Sequence, residues 1–131
     1  MIIMNEELIE HCARIAHELN RGWSAAHGDN SHKSWKETSE HIKGSTRNGA
    51  RLALEKPEMT PRALHEEWSK YKLKQGYAYG PEKSEADKTH PCLVPYDSLP
   101  PIDRAKDELF AHAVRLAQMS FEPYIEYSVV E

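Results

Sequence analysis

Residues 61–80, PRALHEEWSKYKLKQGYAYG, and residues 88–100, KTHPCLVPYDSLP, form the most distinctive stretch of this chain. Thr60 suits the N-cap of a helix that has proline at its first position, and Gly76 suits the end of that helix. Aromatic and small residues alternate after Gly76, which favours a short strand or an extended turn. Five of the eight prolines fall within positions 81–101. The pattern therefore predicts a helix followed by a rigid, irregular insert.

Three further helices are predicted on either side of this stretch. Apolar residues at helical spacing predict a first helix over residues 6–21, a second over residues 35–56 and a fourth that begins at Pro100-Pro101. The side chains expected to face inward are Leu8, Cys12, Ile15 and Leu19 on the first helix, Trp35, Ile42, Thr46, Gly49 and Ala53 on the second, Leu64, Trp68, Tyr71 and Gln75 on the third, and Ile102, Ala105, Leu109, Ala113 and Leu116 on the fourth. The predicted fold is mainly α, a compact four-helix domain with a short β-ribbon and a Pro-rich insert between helices 3 and 4.

Local signals mark the expected ends of these elements. Gly22 is expected to stop the first helix. Ser34 and Glu37 have the spacing of a capping box, which predicts that the second helix begins directly after Ser34. Pro57 ends that helix because proline cannot continue the backbone hydrogen bonding. Within the insert, the β-ribbon is expected at Leu93-Val94.

The charge of the chain is concentrated at its C-terminal end. The 131 residues carry a formal net charge of −4, and residues 122–131 hold three glutamates with no lysine or arginine. Residues 1–121 therefore hold 18 acidic and 17 basic side chains. We predict one domain over residues 1–121 and an acidic tail over residues 122–131, in which residues 124–130 form a short strand or a loose segment. A chain without a basic excess does not suit polymeric nucleic acid.

The sequence carries no signal for export or for membrane insertion. Cys12 and Cys92 are the only cysteines and do not make a disulfide framework. The first residues lack the basic and apolar regions of a secretory signal. No apolar run approaches the roughly 20 residues needed to cross a bilayer. We therefore expect a cytoplasmic protein with no membrane partner.

Histidine and cysteine patterns do not predict a metal site or a nucleophile. His17 and His65 each precede a glutamate, as in zinc proteases, but neither is followed by the second histidine that such a site requires. Cys12 lies on an apolar stripe, where a buried and inert thiol is usual. His90 and Cys92 could share one face of an extended segment, yet nothing else supports a nucleophile. We predict no catalytic residue, no bound metal and no cofactor.

Aromatic and polar residues of the distinctive stretch form a candidate binding site. The candidate ligand-binding residues are His65, Trp68, Lys72, Tyr77, Tyr79, His90, Tyr96 and Asp97. Rings that stack, together with side chains that hydrogen-bond, suit a planar polar ligand such as a nucleobase. In this hypothesis Trp68 and Tyr79 wall the pocket, and Lys72 meets a phosphate. The alternative interpretation is that the aromatic side chains simply form the core of the domain.

The same stretch resembles the RyR domain, a repeat of the cytoplasmic part of ryanodine receptors that also occurs singly in bacterial and phage proteins. The similarity rests on HEEW at residues 65–68, GYAYG at residues 76–80 and HPCLVPYDSLP at residues 90–100. It is most specific over residues 61–110. Because several separate motifs agree in order and spacing, the chain is identified as similar to the single-domain bacterial or phage type of this family.

The resemblance has two departures and several implications. Tyr77 stands where the family usually has tryptophan, and Lys-Ser-Glu at residues 83–85 stands where it usually has Lys-Asp. The resemblance implies a small, mainly helical domain with a short β-element and a non-catalytic, regulatory role. It also implies that the ligand is a nucleotide-like small molecule. No protein partner is identified by it.

Two other functions remain open from the sequence. A protein-interaction module of a bacterial or phage system, with no small ligand, is favoured if Trp68, His90 and Tyr96 are fully buried with no cavity beside them. Trp23 and the residues around Tyr124 would then matter more. An enzyme is indicated instead by a strongly perturbed histidine or carboxylate in an open cleft.

Overall fold

Four α-helices and a two-stranded parallel sheet make up the part of the chain that the computed structural model describes, residues 6–121. The elements are α1 (Glu6–Ala26), α2 (Glu40–Glu55), α3 (Pro61–Lys74), β1 (Ala78–Tyr79), β2 (Thr89–His90), a 3₁₀ turn (Tyr96–Ser98) and α4 (Pro101–Ser120). This confirms the prediction of a mainly α, four-helix fold with a small β-element between the third and fourth helices. The predicted acidic tail, including its residues 124–130, lies outside the described residues.

The hydrophobic core lies where α1, α2 and α4 meet. Its buried side chains are Leu8, Ile9, Cys12, Ala13, Ala16, Trp35, Ala50, Leu54, Ala113, Val114 and Ala117. Alanines on the facing surfaces of α1 and α4 let the two helices approach closely, and the Cys12 thiol contacts the Val114 carbonyl at 3.8 Å. None of the helices within residues 6–121 combines the length and the apolar character needed to cross a bilayer.

Four residues of the predicted inward stripes are exposed instead. Leu19, Gln75, Ile102 and Leu116 face solvent, so those predictions are wrong. On α4 the stripe was traced through apolar residues, but the buried positions are Ala113, Val114 and Ala117. The first half of the same inner face carries charged residues, which an apolar stripe cannot identify.

Two predicted helix ends are wrong because tertiary contacts override the local signals. α1 passes through Gly22 and ends at Ala26, and Gly28 follows with a φ of +90°. Ser34 does bond Glu37 (3.0 Å), but this closes only one turn, and α2 begins later with Ser39 as its N-cap. Trp35 is held in the core instead, because its indole N–H donates to a carboxylate of α1 at 2.8 Å.

The insert folds back through a parallel pairing that the sequence did not locate. Ala78 pairs with Thr89 and Tyr79 with His90, so the expected ribbon at Leu93-Val94 is wrong. The strands approach closely at Gly80, where an added Cβ would lie 2.6 Å from the Thr89 Cβ. The signals at the ends of α3 are confirmed: Thr60 caps its first turn and Gly76 follows it with a φ of +91°.

Candidate functional site

A cavity of about 450 Å³ lies between the four helices and the insert. Its walls come from the second half of α1, the inner face of α2, the middle of α3, residues 29–32, residues 83–92 of the insert and the first half of α4. Ile42, Thr46 and Gly49, which the sequence placed on the inward face of α2, line it. Pockets of this volume commonly hold small molecules.

Four of the eight candidate residues come together at this cavity. They are His65, Trp68 and Lys72 on α3 and His90 at the end of β2. The His65 and Trp68 rings stack with centroids 5.6 Å apart, and the His90 ring meets Trp68 edge-on at 4.9 Å. The spacing along α3 thus places a continuous aromatic and cationic wall on one side of the cavity.

The other four candidates lie outside the cavity wall. Tyr77 is buried behind Lys72, and Tyr79 on β1 is 59% exposed. Tyr96 packs against His65 at 5.9 Å. Asp97 forms an exposed, two-point ion pair with the Arg62 guanidinium at 2.7 and 3.2 Å. The structure therefore separates the predicted set into four residues that line the cavity and four that lie outside its wall.

Lys72 is a buried cation held by aromatic rings. The residue is 6% exposed, and its ammonium lies 4.5 Å from the Tyr77 ring centre and 5.7 Å from that of Trp68. The ammonium donates a hydrogen bond to His41 Nε2 at 2.8 Å, and the His41 ring stacks on Tyr77 at 4.6 Å. Burial is the main reason why the pKa of Lys72 falls to about 8.

His90 is a neutral donor at the cavity wall. Its Nδ1 accepts the backbone N–H of Cys92 at 3.0 Å, so the ring proton resides on Nε2. Burial and the nearby Lys83 and Lys72 ammonium groups lower the pKa of His90 to about 3. Among residues 6–121, Nε2–H has no hydrogen-bond acceptor.

His65 and Asp107 lie next to each other at the cavity wall. His65 Nε2 donates to the Val94 carbonyl at 2.8 Å, which leaves Nδ1 facing Asp107 Oδ2 at 3.8 Å. Burial, followed by repulsion from Asp103, raises the pKa of Asp107 to about 7.

Charged residues that the sequence reasoning missed form one corner of the cavity. We call this the charged corner, and it consists of Asp29, His32, Lys83, Asp103 and Lys106. Asp103, Asp107 and Phe110 follow one another at intervals of one helical turn on α4. This spacing is the sequence signal that could have indicated a charged inward face. Asp29 is fixed in place by the Ser31 backbone N–H and hydroxyl, which lower its pKa to about 2.

The α2 residues that line the cavity are uncharged, and Asn48 and Leu52 are among them. Gly49 lets the Phe110 ring approach α2, because an added Cβ would lie 3.0 Å from that ring. On α1, the cavity residue Asn20 has its Oδ1 buried with no hydrogen-bond partner within residues 6–121. An unpaired buried acceptor costs roughly 1–3 kcal/mol, which a ligand donor would help to offset.

Cys92 lines the cavity as an unreactive thiol. Burial is the main cause that raises its pKa to about 11, so the thiol stays protonated at neutral pH. In the described part of the chain, no three His, Cys, Asp or Glu side chains are grouped closely enough to hold a metal ion.

The family model of the RyR domain matches residues 53–119. The match covers just over half of the 131-residue chain and contains the stretch of residues 61–110 on which the resemblance rests. Within it lie α3, the insert and nearly all of α4, which together supply most of the aromatic and charged wall of the cavity. The α1 and α2 walls lie mainly before the matched residues. This chain belongs to the RyR domain family.

Proposed function

We propose that this chain is a non-catalytic RyR-family module that binds a nucleotide-like small molecule in its central cavity and serves a sensing or regulatory role. The observation that carries the proposal is a cavity with polar groups that the described residues leave incompletely paired. No carboxylate of residues 6–121 forms an ion pair with the buried Lys72 ammonium, and His90 Nε2–H has no acceptor. Asn20 Oδ1, another cavity group, is buried with no hydrogen-bond partner among the same residues, and a buried polar atom is costly unless a partner satisfies it.

The shape and lining of the cavity support a planar ligand with a polar edge. Trp68 and His90 present ring surfaces on one side, and Phe110 and Ile42 present apolar surface near α2. Asn20 and Asn48 carry amides, which suit the mixed donors and acceptors of a nucleobase edge. A cavity volume of about 450 Å³ suits a small molecule rather than a polymer.

The cavity favours binding over catalysis. His90 meets the criterion of a strongly perturbed histidine, but a pKa of about 3 leaves it unable to exchange protons usefully near pH 7. The Cys92 thiol is protonated, with a pKa of about 11. Asp107 has a pKa of about 7 and Lys72 one of about 8, so these two cavity residues are the ones whose shifted pKa values suit acid–base work near neutral pH. Phosphorus and proton NMR of nucleotides incubated with the protein would reveal a product if this assignment were wrong.

A thermal-shift screen against nucleosides and nucleotides tests the proposal. A ligand at 100 times its dissociation constant should add about 2.7 kcal/mol to the stability. Asn48→Phe fills the cavity from α2 and should abolish the shift. Glu55→Phe adds the same ring to an exposed site on the same helix and should retain it. Absence of a shift with every adenine, guanine and ADP-ribose compound would contradict the proposal.

The alternative of a protein-interaction module has one structural feature in its favour. Leu116 and Met119 are exposed on neighbouring turns of α4. Its stated condition is not met, because Trp68, His90 and Tyr96 are only partly buried and a cavity lies beside two of them. We further propose a cytoplasmic setting, since free thiols such as Cys12 and Cys92 are typical of reducing compartments.

A further inference from the structure

Lys83 is the least satisfied cation of the cavity. It makes no hydrogen bond or ion pair with any of residues 6–121, although its ammonium lines the cavity wall. Part of the Lys83 side chain is exposed to solvent. The surrounding protein nevertheless desolvates its ammonium and thereby lowers the pKa of Lys83, and repulsion from Lys106 lowers that pKa further. A partly desolvated ammonium that forms no ion pair favours the binding of an anion.

Two further donors face the same region. Lys83, His90 and Lys106 all line the cavity, and repulsion from the two ammonium groups contributes to the lowered pKa of His90. His90 Nε2–H has no acceptor within the described residues. Lys106 contacts Asp103 at 3.5 Å and retains further N–H donors. Lys72 is less available, because its ammonium bonds His41 and lies against two rings.

We propose that Lys83, His90 and Lys106 form a subsite for a single phosphate group of the ligand, with the ring system of the ligand against the uncharged α2 wall of the cavity. This inference rests on the proposed function and assigns the phosphate contact to Lys83 rather than to Lys72. It names the ligand class as a nucleoside monophosphate or a similar molecule with one phosphate.

The carboxylates of the charged corner limit the ligand to one phosphate group at this subsite. Asp29 attracts Lys83, and Asp103 pairs with Lys106, so each cation is already partly neutralised. Asp107 lies beside Asp103 on the next turn of α4. One phosphate can use the unpaired donors, whereas a second or third phosphate would add charge beside these carboxylates and be repelled.

Calorimetric titration with adenosine and guanosine and with their mono- and triphosphates tests the subsite. We expect the preferred monophosphate to bind at least about tenfold more tightly than its nucleoside, because charge-assisted hydrogen bonds contribute this much. Lys83→Gln should remove that advantage, Lys83→Arg should restore part of it, and Lys74→Gln at an exposed position should retain it. The triphosphate should bind no more tightly than the monophosphate. An unchanged advantage in Lys83→Gln, or a triphosphate that binds tenfold more tightly, would overturn the subsite.

Lysine side-chain NMR with inorganic phosphate separates this inference from the proposed function. If phosphate shifts the Lys83 and Lys106 signals while no nucleoside or nucleotide binds, the subsite stands and the proposed function fails. If nucleotides bind the cavity but phosphate leaves both lysines unchanged and Lys83→Gln binds normally, the proposed function stands and the subsite fails. Circular dichroism of each variant confirms that it is folded.

Discussion

Asp107→Asn should change the pH dependence of stability more than any other isosteric substitution at the cavity. The carboxyl is 23% exposed and faces Asp103 and Lys106 from its own helix, His65 Nδ1 from α3 and Cys92 from the insert. Desolvation and Asp103 hold its pKa at about 7, against a reference of 3.8. Asparagine has the same shape and cannot ionise, so the substitution isolates the effect of the charge.

The sign follows from proton linkage. A raised pKa in the folded state means that the folded protein binds the proton more tightly than the unfolded chain does. The resulting stabilisation is complete below pH 3.8 and is lost as the pH rises to about 7. Each pKa unit corresponds to about 1.4 kcal/mol, so wild type should lose about 2–3 kcal/mol between pH 5 and pH 8 relative to Asp107→Asn.

Thermal unfolding of both proteins across this pH range measures the effect. The midpoint of Asp107→Asn should rise relative to that of wild type by roughly 5–10 °C between pH 5 and pH 8. Asp87→Asn is the matched control, because Asp87 is exposed and lies away from the cavity, and its curve should follow wild type. Parallel curves for wild type and Asp107→Asn would refute the account of a desolvated carboxyl at this position.

Three further predictions concern the other cavity groups and the backbone. Lys72→Met should stabilise the protein at pH 7 by up to about 3 kcal/mol, as measured by urea unfolding. The pKa of Lys72 is lowered from 10.5 to about 8, which means that the charge of its ammonium opposes folding below pH 8. A Lys72→Met protein that is less stable than wild type would contradict this. His90 should keep the nitrogen NMR shifts of a neutral Nε2–H ring down to about pH 4, since its pKa is about 3, and a midpoint above pH 6 would argue against its burial. Gly80→Ala should destabilise the protein by about 1–3 kcal/mol, because the added Cβ would lie 2.6 Å from the Thr89 Cβ. Gly22→Ala, in open space within α1, should instead stabilise the protein by about 0.5–1 kcal/mol. Equal effects of the two substitutions would show that the close approach of the strands does not restrict the side chain at residue 80.

The predictable part of the fold rests on strong local chemistry. Thr60, the proline that follows it and Gly76 fix both ends of α3, because capping and a positive φ have few alternatives. The side chains of Ser34 and Glu37 bond each other, but no capping box forms and the helix does not begin there. Trp35 explains this difference, since its burial and its hydrogen bonds to α1 outweigh one turn of local preference.

The binding site was only partly predictable, because its charged residues do not follow the apolar pattern by which inward-facing helix positions are recognised. Residues of α3 were found since aromatic and basic side chains recur on one helix face. Asp103 and Asp107 escaped because inward helix positions are normally sought among apolar residues. Lys83 lies in a loop without periodicity, so nothing in its spacing indicates that it reaches the cavity. Tyr79 and Asp97 fell outside the wall because a two-residue strand and a short 3₁₀ turn direct them outward.

Proton–nitrogen NMR during titration with adenosine and guanosine monophosphates tests the central claim most directly. If the cavity binds a nucleotide-like molecule, saturable shifts should concentrate at the lining residues, including the amide of Gly49 and the indole N–H of Trp68. The exposed Tyr79 and Asp97 should change little. Saturable shifts confined to that outer surface, or no saturable shift with either nucleotide, would contradict the account.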